Sequence, residues 1–253
     1  MTNLSLVGGT LCYGQTVVCE NLNFSVKPKC FTAILGPNGC GKSTLLRSLT
    51  RSLRPRAGSV TLDGQNIYQI RPKTFAKQVA FLPQNPLVPT GITVRDLVAR
   101  GRHPYHTIFH PWSQEDTSIV EQALEKTSVT EIATSDIAEL SGGQRQRAWI
   151  AMVIAQNTQF VLLDEPTTFL DVAYQIDVLE LIKSLVKDGI TVVAVLHDLT
   201  QAARYADHVV VMDGGSILTQ GAPKEVLTPA CLAEVFGINA CFVGEHLVIN
   251  GRS

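Results

Sequence analysis

Between residues 36 and 43 the chain reads Gly36-Pro37-Asn38-Gly39-Cys40-Gly41-Lys42-Ser43. This fits the spacing G-x-x-x-x-G-K-[ST], set after a strand-like run and before a helix-like one. Glycines at these places let successive backbone N–H groups curl around an anion. The helix N-terminus that follows adds partial positive charge. Lys42 would then reach the β- and γ-phosphates of a nucleotide, and the Ser43 hydroxyl is placed to ligate Mg²⁺. Much later, the apolar run Phe160-Val161-Leu162-Leu163 ends in Asp164-Glu165. A buried parallel strand delivers its last residues to the crevice where such sheets bind ligands. Asp164 is the expected Mg²⁺ partner, and Glu165 the group that polarises an attacking water. His197 ends the next apolar run, Val192–Leu196, and is expected to face the γ-phosphate or the water.

A second anion site is written into Leu140-Ser141-Gly142-Gly143-Gln144. Ser141 can cap a helix, and the paired glycines expose amides to an anion. A helix cap alone would not need both glycines. The helix that follows places Ala148, Ala151, Met152 and Ala155 at near-helical spacing, which marks a core-facing side.

These groups need a scaffold. Strand-like segments are expected at Leu4–Leu6, Val17–Val26, Phe31–Leu35, Ser59–Leu62, Val79–Leu82, Phe160–Leu163, Thr191–Leu196 and His208–Met212. Asp63-Gly64 and Asp213-Gly214-Gly215 read as hairpin turns. Helices are expected at Lys42–Leu49, Val172–Lys187 and Leu199–Tyr205. Between Pro83 and Gln156 strand signals vanish, and helical periodicity covers Val94–Gly101, Glu115–Thr127 and Gly142–Gln156. Alternating strands and helices imply a mainly parallel sheet covered on both faces. The interruption implies a helical subdomain, residues 83–156, inserted into an α/β core formed by 1–82 and 157–253, the whole being one domain.

Composition narrows the function classes. The chain has 253 residues, 45% hydrophobic and 17% charged, which suits a globular protein with a sizeable core. A net charge of −1 gives no broad basic field for nucleic acid. Six cysteines form no C-x-x-C pair, which argues against a zinc or redox centre. Cys40 is expected to be the reactive one, because the loop amides, the helix N-terminus and Lys42 all favour its thiolate. No signal peptide is read at the N-terminus. The apolar run Ile190–Leu196 is far short of the roughly 20 residues a membrane helix needs. A cytoplasmic chain that docks on a membrane partner is the expectation.

Taken together, these motifs resemble the ABC ATPase family over essentially the whole chain. Gly36 to Thr44 resembles its Walker A loop, Phe160 to Glu165 its Walker B strand with the catalytic Glu, and Ser141-Gly142-Gly143-Gln144 its signature. Gln84, in Leu82-Pro83-Gln84-Asn85, is similar to the glutamine that senses Mg²⁺ and the membrane partner. Leu170-Asp171 resembles the D-loop, His197 the switch histidine, and Tyr13 the aromatic that stacks on adenine. Phe169 departs from the small residue many relatives carry before Leu170. The resemblance implies a P-loop NTPase of RecA-like fold with an antiparallel β subdomain. Two copies would sandwich two ATPs head to tail, with Ser141 and Gly143 of one chain touching the γ-phosphate held by the other. It implies ATP and Mg²⁺ as cofactors, with Ser43, Gln84 and Asp164 on the metal.

A finer resemblance lies in Leu97-Val98-Ala99-Arg100-Gly101-Arg102-His103-Pro104-Tyr105, Gln144–Trp149 and Val195–Leu199. These are similar to the ATPases of ferric-siderophore importers and their cobalamin and haem relatives. They imply an importer ATPase on the cytoplasmic face of the cell membrane, working with permease subunits and, indirectly, a substrate-binding protein. The permease would dock on residues 84–112, with Arg100, Arg102, Tyr105 and Phe109 as contacts. Cobalamin or haem cargo is the alternative, followed by a non-transport ABC ATPase.

Overall fold

The computed structural model describes residues 3–88, 90–107 and 110–252. The chain opens with β1 (Leu4–Tyr13), β2 (Thr16–Ser25) and β3 (Phe31–Leu35), then α1 (Lys42–Leu49). β4 (Ala57–Leu62), β5 (Gln65–Asn66), α2 (Pro72–Ala76) and β6 (Val79–Leu82) follow. A helical stretch comes next: α3 (Val94–Ala99), a 3-10 segment at Arg100–Tyr105, α4 (Gln114–Lys126) and α5 (Gly142–Ala155). The α/β pattern resumes with β7 (Phe160–Asp164), α6 (Val172–Lys187), β8 (Thr191–Val195), α7 (Leu199–Tyr205) and β9 (His208–Asp213). The chain closes with β10 (Ser216–Gly221), α8 (Pro223–Val226), α9 (Pro229–Phe236), β11 (Ile238–Val243) and β12 (His246–Arg252).

Among the described residues three sheets result. The main one has the order β10-β9-β3-β8-β7-β6 and is parallel except for the β9–β10 hairpin. A second, antiparallel sheet has the order β2-β1-β4-β5, and β11–β12 form a separate hairpin. In the parallel strands β3, β7 and β8 every side chain is buried, which is why they read as continuous apolar runs. Their alternate residues divide between two cores. Phe31, Ala33, Leu35, Val161, Leu163, Val192 and Ala194 join the helices α3 to α7 on one face. Ile34, Phe160, Leu162, Val193 and Val195 join α1 and the antiparallel sheet on the other. The period of two along a strand makes that division. α3, α4 and α5 pack on one another, and they share their apolar cluster with the main sheet.

The hairpin turns fall where Asp63-Gly64 and Gly214-Gly215 allow them, at φ values of 52 and 78° and of 50 and 81°. Such left-handed pairs match the twist of the flanking strands. The expected Leu4–Leu6 strand is a ten-residue strand with register shifts, so its length was hidden by irregular pairing around Gly8-Gly9. The Val94–Gly101 helix stops at Ala99 and continues as a 3-10 segment that contains Pro104, whose missing N–H and ring are poorly tolerated in an α-helix interior.

Candidate active site

β3 ends directly in the phosphate loop. Gly36 has φ 149°, and a Cβ there would collide with the Met212 carbonyl oxygen. Gly41 has φ 107° and opens α1 with no side-chain cap, so the first-turn amides of that helix meet no protein cap. Lys42 is 5% exposed, and its Nζ donates to the Gly36 and Pro37 carbonyl oxygens at 2.8 Å each. Those bonds hold the ammonium inside the curl of the loop. An ammonium has three protons to give. The loop therefore gathers a buried positive charge beside uncapped amides, an arrangement suited to a phosphate chain.

Cys40 behaves differently from the sequence expectation. It is buried at 5% exposure, and its Sγ lies 2.7 Å from where a Gly36 Cβ would stand. Burial is the largest influence on the thiol and pushes its pKa up, outweighing Lys42 and the loop hydrogen bonds. Its amide also donates to the Pro37 carbonyl oxygen at 3.3 Å. Cys40 is thus a packing residue of the loop rather than a ready thiolate.

Asp164, the last residue of β7, is fully buried. Its Oδ1 accepts the Ser43 hydroxyl at 2.7 Å. Its Oδ2 is buried with no hydrogen-bond partner among the described residues, and Arg47 Nε stands 3.9 Å away. Burial pushes this carboxyl above the usual carboxylate range, against the pull of Ser43 and Arg47. An orphaned carboxylate oxygen beside a hydroxyl is a hard-oxygen donor set. It fits Mg²⁺, which usually takes one or two protein ligands and completes its shell with phosphate oxygens and water. Gln84 Nε2 donates to Glu165, so its Oε1 takes no part in that bond.

Glu165 is clamped from three directions. His197 Nε2 meets Oε1 at 2.6 Å, Gln84 Nε2 donates to Oε2 at 2.6 Å, and Thr168 Oγ1 donates to Oε2 at 3.1 Å. Its backbone sits at φ 56°, a left-handed conformation that costs a non-glycine residue free energy and clusters at functional sites. The carboxylate is 9% exposed and His197 46%, so the clamp has a buried acceptor and a solvent-facing donor. β6, β7 and β8 are parallel neighbours, so Gln84, Glu165 and His197 all emerge from the same sheet edge. Such a carboxylate can accept a proton from a water held against a phosphate. Thr168 had no motif to announce it. Its only sequence signal was a spacing of three residues from Glu165.

Ser141 caps α5 in a capping box: its Oγ accepts Gln144 N at 3.3 Å while Gln144 Oε1 accepts Ser141 N at 3.0 Å. Cβ atoms at Gly142 and Gly143 would meet nothing nearer than 3.4 Å, so the α5 N-terminus is open. The cap therefore explains Ser141 and Gln144, and it leaves the glycines free to face a ligand. Phe169 lies beside this helix start, its carbonyl oxygen 4.0 Å from a Gly142 Cβ. It is 79% exposed at φ 65°. Asp171 caps α6 through Tyr174 N at 3.0 Å, so that carboxylate oxygen serves the helix. Tyr13, 45% exposed at the end of β1, accepts a hydrogen bond from Arg47 Nη1 at 3.3 Å. This sets an aromatic ring beside α1, the helix that carries Lys42 and Ser43.

The expected docking contacts divide. Arg102 is 4% exposed, paired with Asp116 at 2.8 Å and donating to the Ala155 carbonyl oxygen at 3.0 Å. It lies over the Tyr105 ring, whose hydroxyl donates to Gln156 and Asn157 carbonyl oxygens. Arg102 is therefore an internal brace, and its burial overturns the surface-contact reading. Tyr105 is held in the same brace. Phe109 lies outside the described residues. Leu87 is 92% exposed and Val88 36%, so that stretch presents apolar side chains to solvent.

A strand-borne phosphate loop, a buried Mg²⁺-competent carboxylate and a clamped glutamate at the same sheet edge define a P-loop NTPase. Comparison with known proteins narrows the class. Residues 19–168 match the family model described as ABC transporter. The ferric enterobactin transport ATP-binding protein FepC of Escherichia coli (strain K12) is 48% identical over 237 residues, covering 93% of this chain and 88% of that protein. The petrobactin import ATP-binding protein FpuD of Bacillus anthracis is 49% identical over 228 residues, covering 90% and 84%. Among solved structures, an inward-facing metal-chelate type ABC transporter aligns with a TM-score of 0.82 at 30% identity, covering 100% of this chain and 98% of that one. The dimeric bacterial ABC transporter cassette MJ0796 aligns with a TM-score of 0.78 at 26% identity, covering 87% and 98%. The chain belongs to the ABC transporter family, as an ATP-binding subunit that hydrolyses ATP. Among the described residues no helix is long and apolar enough to cross a membrane.

Proposed function

We propose that this chain drives uptake of ferric siderophores as the ATPase of an importer whose permease is a separate protein. It acts at the cytoplasmic face of the membrane as a head-to-tail pair, supplied from outside by a substrate-binding protein. Residues 83–156 serve as its helical subdomain. The observation that carries the enzymatic part is the clamp on Glu165, set beside the Asp164–Ser43 pair at the mouth of the phosphate loop. The cargo rests on near-half identity to FepC and FpuD over nine-tenths of the chain.

In this reading Tyr13 stacks on adenine and the loop from Gly36 to Thr44 wraps the phosphates. Lys42 balances charge on the β- and γ-phosphates. Ser43, Gln84 and Asp164 hold Mg²⁺, which when bound neutralises charge on the transferring phosphoryl group. Glu165 takes a proton from the attacking water as oxygen bonds to the γ-phosphorus and the bond to ADP breaks. His197 and Gln84 fix the carboxylate oxygens so that one lone pair faces the water. Ser141, Gly142 and Gly143 of the second copy close on the γ-phosphate, with Asp171 and its loop at the contact between copies.

The test is the complex reconstituted in proteoliposomes with its binding protein, reading ATP turnover and uptake. Ferric siderophores should stimulate both. Stimulation by cobalamin or haem alone would overturn the cargo and leave the ATPase standing.

A further inference from the structure

We infer that Arg47 is a positioning residue: one guanidinium ties the Asp164 carboxylate to the Tyr13 hydroxyl, joining the metal end of the nucleotide site to the base end. The inference rests on the nucleotide reading above and names a residue that no motif contains. Arg47 lies four residues after Ser43 on α1, so both side chains leave the same face of the helix. Both approach one carboxylate from that face, Ser43 by a hydrogen bond and Arg47 at ion-pair distance. Ser43 Oγ donates to Asp164 Oδ1 at 2.7 Å, and Arg47 Nε stands 3.9 Å from Oδ2. Oδ2 is buried and takes no hydrogen bond among the described residues, so Arg47 meets it as a nearby charge. The opposite side of the guanidinium donates, through Nη1, to Tyr13 Oη at 3.3 Å.

The chemistry of the two ends explains why an arginine suits the place. A buried carboxylate with one hydrogen bond is poorly solvated, and a nearby fixed charge stabilises it. A guanidinium is planar, always charged and able to present separate N–H edges to two acceptors, whereas an ammonium is a single point. Arg47 is 37% exposed while Asp164 is fully buried, so the arginine reaches inward from the rim and acts through the carboxylate. Outer partners of this kind orient a metal ligand, and their loss typically costs about 10–100-fold in metal affinity.

Equilibrium binding of ATP to the full chain, by calorimetry, in excess chelator and across a Mg²⁺ series, tests this. Arg47→Met should leave metal-free ATP affinity within about twofold of wild type. The Mg²⁺ concentration giving half of the tightening should rise on the order of tenfold or more. Tyr13→Phe keeps the ring and removes the hydroxyl. It should shift the Mg²⁺ midpoint the same way by less, and add nothing when combined with Arg47→Met. Should Arg47→Met fail to fold, Arg47→Lys, which keeps charge and loses the bridge, must still move the midpoint. An unchanged midpoint overturns the inference. Equal weakening in chelator and in Mg²⁺ overturns it as well, since that is what a merely structural arginine would give. Wild-type chain that binds ATP with no Mg²⁺ dependence would instead overturn the nucleotide-site reading itself.

Discussion

Replacing Glu165 by glutamine separates binding from chemistry, and the clamp says how cleanly. The native carboxylate accepts from His197, Gln84 and Thr168. Gln84 and Thr168 both donate to Oε2, so the amide oxygen of the substituted side chain belongs there. Its NH₂ then faces His197 Nε2. A neutral imidazole can present a lone pair at that nitrogen by changing tautomer. The geometry therefore survives. Hydrogen bonds to a charged acceptor, worth about 1.5–3 kcal/mol, become neutral ones worth about 0.5–1.5 kcal/mol. The folded chain should lose on the order of 1–3 kcal/mol. In the proposed function chemistry loses more: without Glu165 as base, hydrolysis should fall about 10²–10⁴-fold, or roughly 3–5 kcal/mol in the barrier. Single-turnover hydrolysis with saturating MgATP, alongside equilibrium ATP binding, reads both. Binding should stay within a few-fold. A hydrolysis rate within about threefold of wild type would remove Glu165 from the role of base.

Arg102→Glu should act as a folding lesion. Breaking the buried Arg102–Asp116 pair and setting two carboxylates together costs at least about 3–5 kcal/mol, so the melting temperature and soluble yield should fall; loss of transport with unchanged melting would restore the docking role. Cys40, with its thiol pushed up by burial, should be alkylated more slowly at neutral pH than the partly exposed Cys12 and Cys241, which peptide mapping of a maleimide time course measures; fastest labelling at Cys40 would reverse that order. Asp116 feels burial as its largest influence, pushing its pKa up, yet the hydrogen bonds from Ser113 and Arg102 bring it down to about 2. Its contribution to stability is therefore full above the ordinary value of 3.8 and is lost as pH falls toward 2. The stability gap between wild type and Asp116→Asn should be constant above about pH 5 and close in acid. A gap that persists at about pH 2 would refute the linkage.

The parts of the site that were legible in the sequence are those set by backbone shape or by strand ends. The phosphate loop needs glycine at fixed places, and Asp164, Glu165 and His197 follow apolar runs long enough to announce buried strands. Contacts made across the fold left no trace in spacing. Arg102 looked like a surface charge because its partner Asp116 also serves as a helix capping-box residue, a role that explains an acid without invoking a salt bridge. Cys40 looked reactive because sequence displays nearby charge and not burial. The stretch from β10 to β12 carried signals that went unused. Pro223 and Pro229 open α8 and α9, Gly237 closes α9 at φ 64°, and Gly244 turns the final hairpin at φ 63°. Each is ordinary helix or turn punctuation.

In the proposed function, the clamp also bears on how a permease could control hydrolysis. The three donors to Glu165 come from different parts of the chain. Gln84 leads into the stretch that exposes Leu87 and Val88. Thr168 precedes Phe169, which stands beside the signature helix, and His197 follows β8. Movement of any one segment by little more than an ångström lengthens its bond, 2.6 Å from Gln84 or His197 and 3.1 Å from Thr168, beyond hydrogen-bonding range. The base then keeps its position just after β7 and loses its aim. A membrane partner pressing on residues 84–88, and a second copy pressing on Phe169, would thus act on the same carboxylate without touching it. The coupling is measurable as a difference. Gln84→Ala should lower hydrolysis in the isolated chain and also flatten its response to the permease. Glu165→Gln should abolish hydrolysis with or without permease. Permease stimulation of the Gln84→Ala chain by the full wild-type factor would place the coupling route elsewhere.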